Sequence, residues 1–406
     1  MELRKIDTIA SNAKDVLEQW EIEQKLSFDA MTGFYRRYNK TEVSEIFRIT
    51  RGKLSKIVEE MEEDGHVFER AKSGATVRIQ FKVEDIVAIY KHQGGKVFRE
   101  RFGKAYTVFV GNLKGGVAKT ISTVTIAHAL RTHTSLIQED LRILIVDLDP
   151  QASATMMTNG ECTRPGLETT ATQAMLNCKL TKEELMENYV FPTQVSNVSV
   201  MPSNISDGFI AAHWDEITEG EEADFKGHNV HKFEALKKNV IAKLEDEFDF
   251  IFIDTGPHMD SMLLNALVAS DMLMTPVPLD RVDLHSTLTY LMRLPEEIDY
   301  LKEEFGMDVK FKTNIGFMSK VTNKQLETKT PSYVRQTFGA DILDASFKYL
   351  SAFANVTSDR HTVISEDPND YLHDRKALNS AKSEAYKFSK AVFDRIIVTR
   401  KAEGAQ

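Results

Sequence analysis

The sequence predicts an α/β protein with a mostly parallel sheet flanked by helices, preceded by an N-terminal helix and a winged helix-turn-helix domain. Three observations support this prediction. From Ala105 onward, apolar runs that suit buried strands alternate with segments of helical periodicity. A glycine-containing loop follows the first of these runs, whereas residues 40–104 show two helices and a hairpin. We therefore divide the 406 residues into domains at 1–39, 40–104 and 105–406.

Residues 2–31 contain neither Pro nor Gly and predict one amphipathic helix. Apolar side chains recur at intervals of three and four, which places them on one helix face: Ile6, Ile9, Ala13, Val16, Leu17 and Trp20. A single helix has no core of its own, so this face must pack on the next domain or on a second copy of the chain. We favour the second copy, and hence a homodimer.

Residues 40–104 predict a helix-turn-helix followed by a β-ribbon wing. The predicted elements are a helix over 41–47, a second helix over 51–64 that Thr50 caps, and strands over 66–69 and 76–81 around a tip at 70–75. Basic residues early on the second helix and on the wing are placed to contact DNA. The DNA-binding candidates are Thr50, Arg51, Lys53, Lys56, Lys72 and Arg78. The alternative is a small helical domain with a solvated charged face, because residues 59–64 are almost all acidic.

Composition and charge agree with this division. Hydrophobic residues make up 42% of the chain, yet no apolar run is long enough to span a bilayer and no signal-peptide core is present. The two cysteines, Cys162 and Cys178, are too few for a disulfide framework, so we expect a cytoplasmic protein. The formal net charge is −10, but residues 40–105 are mildly basic, which suggests nucleic acid as a partner of that domain.

The alternation after residue 105 predicts six strands and six helices. The strands are expected at 105–111, 141–147, 197–201, 248–254, 272–277 and 309–316, and the helices at 119–132, 230–247, 262–269, 284–305, 324–336 and 376–395. Several strands are continuously apolar, which is typical of a parallel sheet covered on both faces. Residues 203–230 are acidic and lack periodicity, so we expect a loop or insertion there.

The heptapeptide Lys114–Thr120 (KGGVAKT) predicts a phosphate-binding loop between a strand and a helix. Backbone N–H groups and the helix N-terminus would surround the phosphates, with Lys119 on the terminal phosphates and the Thr120 hydroxyl on Mg²⁺. Two glycines of the strict motif are replaced by Leu113 and Ala118, and a second lysine, Lys114, precedes the Gly-Gly pair. This is the deviant Walker A pattern.

Acidic residues follow two predicted strands. Asp147 and Asp149 follow one strand, and Asp254 follows a later one. Ligands of open parallel sheets bind beyond the carboxyl ends of the strands, so these carboxylates can converge with Lys119. Asp254 resembles a Walker B aspartate that holds Mg²⁺, and Asp149 or Asp147 is the candidate for orienting the water that attacks the γ-phosphate.

These motifs resemble those of the ParA/MinD/Soj family of deviant Walker ATPases. The resemblance covers roughly residues 105–400 and extends to the stretches Arg142–Thr155 and Asn314–Lys320. With the N-terminal helix and winged helix, the whole chain is similar to the large ParA-type proteins that partition plasmids and prophages.

The resemblance implies roles for individual residues. Lys114 would reach across an ATP-sandwiched dimer, Asp149 would orient water, and Asp147 would lie near Mg²⁺ together with Thr120 and Asp254. The implied nucleotide-binding residues are Lys114, Gly115, Gly116, Val117, Ala118, Lys119, Thr120, Ile121 and Asn314. Asn314, at the end of a late strand, and the turn at 276–280 match regions of the family that contact adenine. Ala118 replaces the common Gly, so we expect the loop to avoid positive φ there. Ile121 replaces a Thr or Ser but keeps its backbone N–H.

The resemblance also implies a function. The chain would be a Mg²⁺-dependent ATPase with ATP and ADP as nucleotides and a weak intrinsic rate, since no cis arginine finger is evident. The ADP form would repress its own operon by binding operator DNA. The ATP dimer would bind non-specific DNA and a ParB-type partner that stimulates hydrolysis. For non-specific DNA, the first positions to test are Lys348, Arg375, Lys376 and Lys382.

Three alternatives remain open at this point. A MinD-like membrane ATPase would need a C-terminal amphipathic helix, but the apolar stretch 391–400 suits packing on the body better. A nucleotide-gated repressor would bind ATP as an effector without essential hydrolysis. An iron–sulfur reductase of related fold would need bridging cysteines that the positions of Cys162 and Cys178 do not favour.

Overall fold

The computed structural model describes residues 5–28, 34–73, 76–163, 168–220, 225–311, 313–348 and 350–404. It begins with helix α1, Lys5–Phe28, which confirms the predicted N-terminal helix; residues 2–4 and 29–31 of that prediction lie outside the described residues. The apolar face of α1 is exposed, with Ile6 and Ile9 each 66% accessible. The apolar side chains of this face that the structure describes are therefore open to solvent.

The N-terminal module after α1 contains the predicted helix-turn-helix. Its elements are α2 (Lys40–Phe47), α3 (Arg51–Glu63), β1 (Arg70–Ser73), β2 (Thr76–Ile79), α4 (Val83–His92) and α5 (Phe98–Phe102). Thr50 caps α3 by accepting a hydrogen bond from the backbone N–H of Lys53 (3.2 Å), as predicted. Gly65, at φ +95°, follows the end of α3 in the left-handed region that glycine favours.

The wing differs from the prediction. Residues 66–69 are not a strand; β1 is instead formed by the predicted tip residues Arg70–Ser73, which pair antiparallel with β2. Phe68 is buried against Phe81, with ring centroids 5.5 Å apart, so its hydrophobicity reflects core packing below the ribbon. The side chains of this ribbon are mostly exposed. Its sequence therefore lacks the alternation of apolar and polar residues that predicts a strand. Gly74 and Ala75 of the predicted tip lie outside the described residues.

The C-terminal part is built on a mostly parallel sheet, as predicted. Its strands are β3 (Tyr106–Val110), β4 (Ile143–Asp147), β5 (Phe191–Pro192), β6 (Val198–Met201), β7 (Phe250–Asp254), β8 (Met272–Pro278), β9 (Asn314–Val321) and β10 (Phe347–Lys348). Within the described residues they are ordered β10-β9-β8-β3-β7-β4-β6-β5, and β5 alone is antiparallel to its neighbour. The central strand β3 thus has β7 on one side and β8 on the other.

Helices cover both faces of this sheet. They are α6 (Lys119–Thr132), α7 (Ser153–Thr158), α8 (Ala171–Leu176), α9 (Lys182–Asn188), α10 (Asp207–Ala212), α11 (Trp214–Glu219), α12 (Phe225–His228), α13 (Ala242–Leu244, preceded by a π-helical turn at Leu236–Ile241), α14 (Ser261–Ala269), α15 (Arg281–Phe305), α16 (Asn323–Leu326), α17 (Thr330–Phe338), α18 (Ser351–Ser358) and α19 (Arg375–Gly404). Short 3₁₀ turns lie at Ile137–Glu139, Gly160–Thr163 and Gly339–Asp341.

One predicted loop and two predicted helices need correction. The expected loop at 203–230 contains α10, α11 and α12, because Trp214 is 1% exposed and anchors this segment in the core. The expected helix at 324–336 is divided into α16 and α17, with Pro331 near the start of α17. The expected helix at 230–247 is helical only from Leu236.

Alternate residues of the central strands pack into two apolar clusters. On β3, Val108 joins the cluster beneath α6 and α19, whereas Phe109 joins the cluster beneath α14 and α15. The N-terminal module shares the first cluster and is tied to the sheet by Arg99, whose Nη1 donates to the backbone oxygen of Phe248 (2.7 Å). This arrangement holds the N-terminal module against the edge opposite the carboxyl ends of the strands.

None of the described helices is long and apolar enough to cross a membrane. The apolar stretch at 391–400 lies within α19, where Val392 and Ile396 are buried against the body. That part of the prediction is confirmed.

Candidate functional site

The loop between β3 and α6 has the shape of a phosphate-binding loop. Gly116 has φ +73° and Ala118 has φ +74°, so two left-handed residues turn the chain into the N-terminus of α6. The expectation that Ala118 avoids positive φ is wrong. Entry into α6 requires this torsion, and alanine accepts a strain of about 1–2 kcal/mol that glycine would not carry.

Lys119 opens α6 and lines a cavity of about 370 Å³ at the loop. Its side chain is only 7% exposed, and its Nζ lies 3.3 Å from the backbone oxygen of Lys114. Burial lowers the pKa of Lys119, while the nearby carboxylates of Asp254 and Asp149 raise it. A buried ammonium that faces a cavity suits an anionic ligand that would stabilise its charge.

Asp254 and Thr120 form the adjoining polar pair. The strand register places Asp254 beside Val110 of β3 and beside Asp147 of β4, so all three lie at the carboxyl edge of the sheet. The Thr120 hydroxyl donates to Asp254 Oδ2 (2.6 Å), and Asp254 Oδ1 is buried without a hydrogen-bond partner in the described part of the chain. Burial and the neighbouring Asp147 raise the pKa of Asp254. An unpaired carboxylate oxygen next to a hydroxyl suits Mg²⁺.

Asp147 is held by α7. Its Oδ2 accepts hydrogen bonds from the backbone N–H and the hydroxyl of Thr155 (2.9 and 2.7 Å), and its Oδ1 accepts one from the N–H of Asp149 (3.1 Å). Burial raises the pKa of Asp147 to about 7. These contacts fix its carboxylate beside Asp254, and its assignment to the magnesium site stays a prediction.

Asp149 reaches the same cavity from the next loop. It lines the cavity together with Lys119, and its Oδ1 accepts the backbone N–H of Gln151 (3.0 Å). Gly256 lies beside this carboxylate, since a Cβ added there would be at an ordinary van der Waals distance of 3.5 Å from the oxygen. The structure therefore brings Lys119 and Asp149 to one cavity.

Other residues predicted to bind the nucleotide line this cavity, among them Gly115, Gly116, Ala118, Thr120 and Ile121. Val117 is buried. Lys114 precedes the lining residue Gly115, and its side chain forms an ion pair with Asp283 of α15.

Asn314 is the exception. It begins β9 rather than ending a strand, and it pairs with Leu273 at the start of β8. Its side chain accepts a hydrogen bond from the Thr275 hydroxyl (2.8 Å). Asn314 does not line the cavity at the glycine loop, and its contact with adenine stays a prediction. Residues 276–278, expected in a turn, are the last part of β8 and do not line the cavity either.

Other residues of the cavity were missed by sequence reasoning: Ser153, Met157, Pro257, Lys320 and Thr357. Lys320, near the end of β9, has φ +53°, a conformation that non-glycine residues adopt mostly where the surroundings require it. Both Ser153 and Lys320 belong to stretches that carry the family resemblance, which is the signal that could have found them. Thr357 belongs to no recognisable motif, so no signal in the sequence pointed to it.

The DNA-binding candidates are exposed on the N-terminal module. Arg51, Lys53 and Lys56 are exposed on the first turns of α3, and none of them makes an ion pair within the described residues. In contrast, Arg70 of β1 is held by Glu62 at the acidic end of α3 (2.5 Å). The candidate cations without an ion pair among the described residues are therefore at the N-terminal end of α3, where a recognition helix meets DNA, and on the wing at Lys72 and Arg78.

Comparison with known proteins agrees with both parts of this architecture. Residues 105–310 match the family model described as an AAA domain, and residues 14–102 match the ParA helix turn helix domain. Plasmid partition protein A from Escherichia coli is 41% identical over 395 residues, which cover 97% of each chain. The chain belongs to the ParA family.

A solved structure called a partition protein confirms the fold of this ParA-family chain, with a TM-score of 0.75 and 37% identity over 95% of this chain and 99% of that one. The chromosome partitioning protein ParA of Myxococcus xanthus is 26% identical over 50% of this chain and 61% of its own length. The predicted α/β fold, the phosphate-binding loop and the helix-turn-helix are thus confirmed as ParA-family features. The chain is a P-loop ATPase of the plasmid-partition type.

Proposed function

We propose that this ParA-family protein hydrolyses ATP with Mg²⁺ to drive DNA partition, and that its nucleotide state selects between two DNA-binding activities. The observation that supports hydrolysis is the meeting of Lys119 and Asp149 in one cavity beside the Thr120–Asp254 pair. This is a complete set of phosphate-binding, metal-binding and water-orienting side chains. Thr120 and Asp254 would hold Mg²⁺, with Asp147 close by, and the metal when bound would neutralise charge on the phosphates.

In this mechanism different residues of the chain bind the phosphates and orient the attacking water. Backbone N–H groups of residues 115–121 and the Lys119 ammonium bind the phosphates, and Asp149 orients the attacking water with its carboxylate. Because Asp149 is fixed by the N–H of Gln151, its oxygen is held in place before a ligand arrives. The side chain of Lys114 would reach across the dimer interface and contact the nucleotide bound by a partner. No cis arginine lines the cavity within the described residues, which is consistent with a slow unstimulated rate.

ATP can favour a dimer only if a group of the partner binds the γ-phosphate differently from ADP. Lys114 is suited to that contact because it precedes the lining residue Gly115 and its side chain is partly exposed. The exposed apolar face of α1 supports a second contact between subunits, since Ile6, Ile9, Val16 and Leu17 are all exposed in the described chain. We propose a homodimer held at both places.

For DNA, we propose that the ADP form binds an operator through α3 and the wing and represses its own operon. The ATP dimer would bind DNA without sequence preference, on the nucleoid in the cytoplasm, and meet a ParB-type partner that stimulates hydrolysis. Of the C-terminal cations, Lys382 is buried and Lys348 pairs with Glu384 (3.1 Å), so neither offers a free surface charge. Arg375 and Lys376 are exposed and remain candidates.

The deciding experiment measures DNA binding of the full chain with ADP and with ATP. Random duplex and DNA from upstream of its own gene would be compared in each state. Specific binding favoured by ADP and non-specific binding favoured by ATP are expected. An identical preference with both nucleotides would contradict nucleotide selection. Asp149→Ala should keep operator binding and lose hydrolysis and plasmid maintenance; retained maintenance would favour the nucleotide-gated repressor.

A further inference from the structure

A second cavity, of about 560 Å³, lies where four separate segments meet away from the glycine loop. We call it the junction pocket. It is lined by Tyr35 and Arg36 before α2, by His133 and Thr134 after α6, by Pro368 before α19, and by one face of α19. Its volume exceeds that of the nucleotide cavity and falls in the range of sites for small molecules. The junction pocket thus joins the segment that leads into the DNA-binding module to the ATPase body.

The face of α19 at the junction pocket is polar. Asn379, Lys382, Ser383 and Tyr386 are spaced at three and four residues, which places them on one side of the helix. The side chains of Asn379 and Ser383 are exposed and make no hydrogen bond to any described residue. An amide and a hydroxyl are therefore available to a ligand beside the Lys382 ammonium.

Lys382 is a buried cation that forms no ion pair with a carboxylate of the described residues. It is 8% exposed, and its Nζ donates to the Tyr35 hydroxyl and to the backbone oxygen of Glu366 (2.6 Å), both neutral acceptors. Burial lowers the pKa of Lys382 to about 7; Glu366 and Asp367 raise it, whereas Arg36 lowers it further. An anion in the pocket would offset the cost of burying this charge.

His133 adds a further donor. Its Nδ1 accepts the backbone N–H of Ser135 (3.1 Å), so the neutral ring carries its proton on Nε2. Among the described residues, the lining contains two cationic side chains, Arg36 and Lys382, and no carboxylate, although Arg36 also forms an ion pair with Glu42 (3.6 Å). Several N–H and O–H donors around two cations suit the three oxygens of a phosphate group, and the remaining volume leaves room for an organic part.

We propose that the junction pocket binds a small phosphate-bearing molecule, whose phosphate contacts Lys382, Asn379 and Ser383. An occupant would touch both α19 and the segment at Tyr35 and Arg36, and so would hold the DNA-binding module against the body. This site is separate from the glycine loop and does not depend on the function proposed for it.

The test is calorimetric titration of the full chain with inorganic phosphate and with ribose 5-phosphate, after the glycine loop has been saturated with ADP and Mg²⁺. One additional site is expected, and Ser383→Asp should weaken it at least tenfold by placing a carboxylate among the donors. Lys387→Ala, an exposed change on the same helix outside the pocket, should leave it unchanged. Lys119→Ala should also retain it, which separates this site from the nucleotide site.

Three results would overturn the proposal: no binding beyond the ADP site, equal affinity in Ser383→Asp, or loss in Lys119→Ala alone. If neither small phosphate binds but a short DNA duplex shows the Ser383→Asp sensitivity, the phosphate belongs to DNA and the small-molecule proposal is wrong.

Discussion

The Nζ of Lys114 lies 3.2 Å from Oδ1 of Asp283, the third residue of α15. The two side chains are 35% and 31% exposed, so the pair is worth at most about 1 kcal/mol. Its importance lies in what it competes with. The lysine that we propose to cross the dimer interface is held by a carboxylate of its own subunit, and that contact must break before Lys114 reaches a partner.

We therefore expect Asp283→Asn to favour the ATP-bound dimer. Loss of the pair should increase the dimerisation constant with ATP by up to about fivefold and leave the ADP form monomeric at the glycine-loop interface. Analytical ultracentrifugation with ATP and with ADP measures both. Glu296→Gln, an exposed change further along α15, is the matched control. Weaker dimerisation in Asp283→Asn would instead show that Asp283 assists the interface.

The backbone at Ala118 gives a second prediction. Ala118→Gly removes strain at φ +74° but adds unfolded-state freedom of about 0.4–1 kcal/mol, so unfolding free energy should change by less than about 1 kcal/mol and nucleotide should still bind. Ala118→Val places a β-branched residue in a conformation it rarely adopts, and should cost more than about 2 kcal/mol. Urea denaturation with and without ADP and Mg²⁺ measures both changes. An Ala118→Val variant as stable as the parent would show that the loop can adopt another shape.

Sequence reasoning located the buried strands and the acidic residues that follow them. β3, β4 and β7 lie within two residues of their predicted bounds, because each is apolar on both faces and no exposed face obscures its limits. The polar side chains at their carboxyl ends then had to converge. Lys119, Asp149 and Asp254 were therefore predictable from chain order and strand direction alone.

The predictions that were wrong concern features that tertiary contacts determine. Val309 and Phe311 are apolar because they pack against the cluster beneath α15, not because they form a strand, and periodicity does not separate these cases in so short a run. β9 begins only at Asn314, where Leu273 of β8 offers a partner. The positive φ of Ala118 is likewise set by the chain on both sides of it. The residue type alone favoured a negative φ.

The pair Asp147 and Asp254 predicts a pH dependence. Burial raises the pKa of Asp147 to about 7 and raises that of Asp254, so the stability that each contributes is complete below its unfolded pKa near 4 and is lost as the pH rises through the folded value. Asp254→Asn keeps the acceptor for Thr120 and removes the charge. Without nucleotide, it should raise the unfolding free energy by about 1–2 kcal/mol at pH 8 and by much less at pH 5.

Urea denaturation of both proteins at the two pH values tests this, and the same proteins with ADP and Mg²⁺ provide the functional comparison. The parent should gain stability from the ligands at pH 8, and Asp254→Asn should gain less, because the proposed magnesium ligand is lost. An equal effect of Asp254→Asn at both pH values would show that the raised pKa values do not limit stability.

The ribbon β1–β2 predicts an unequal pair of mutants. Lys72 lies opposite Val77, and Arg78 lies opposite Ala71, so the pleat points Lys72 and Arg78 to different faces. One face at most can lie on a duplex. Of Lys72→Ala and Arg78→Ala, one should therefore reduce the salt dependence of operator binding by about one counterion and the other should not, whereas Lys53→Ala and Lys56→Ala on α3 should each weaken binding.

Fluorescence anisotropy with operator DNA over a range of salt concentrations measures these slopes in the ADP state. Lys324→Ala, an exposed change on α16 of the ATPase body, is the control for a general loss of positive charge. Equal reductions in Lys72→Ala and Arg78→Ala would mean that the ribbon twists enough to present both faces, or enters a groove edge-on. No reduction in either would leave α3 as the contact with DNA and remove the wing from the operator interface.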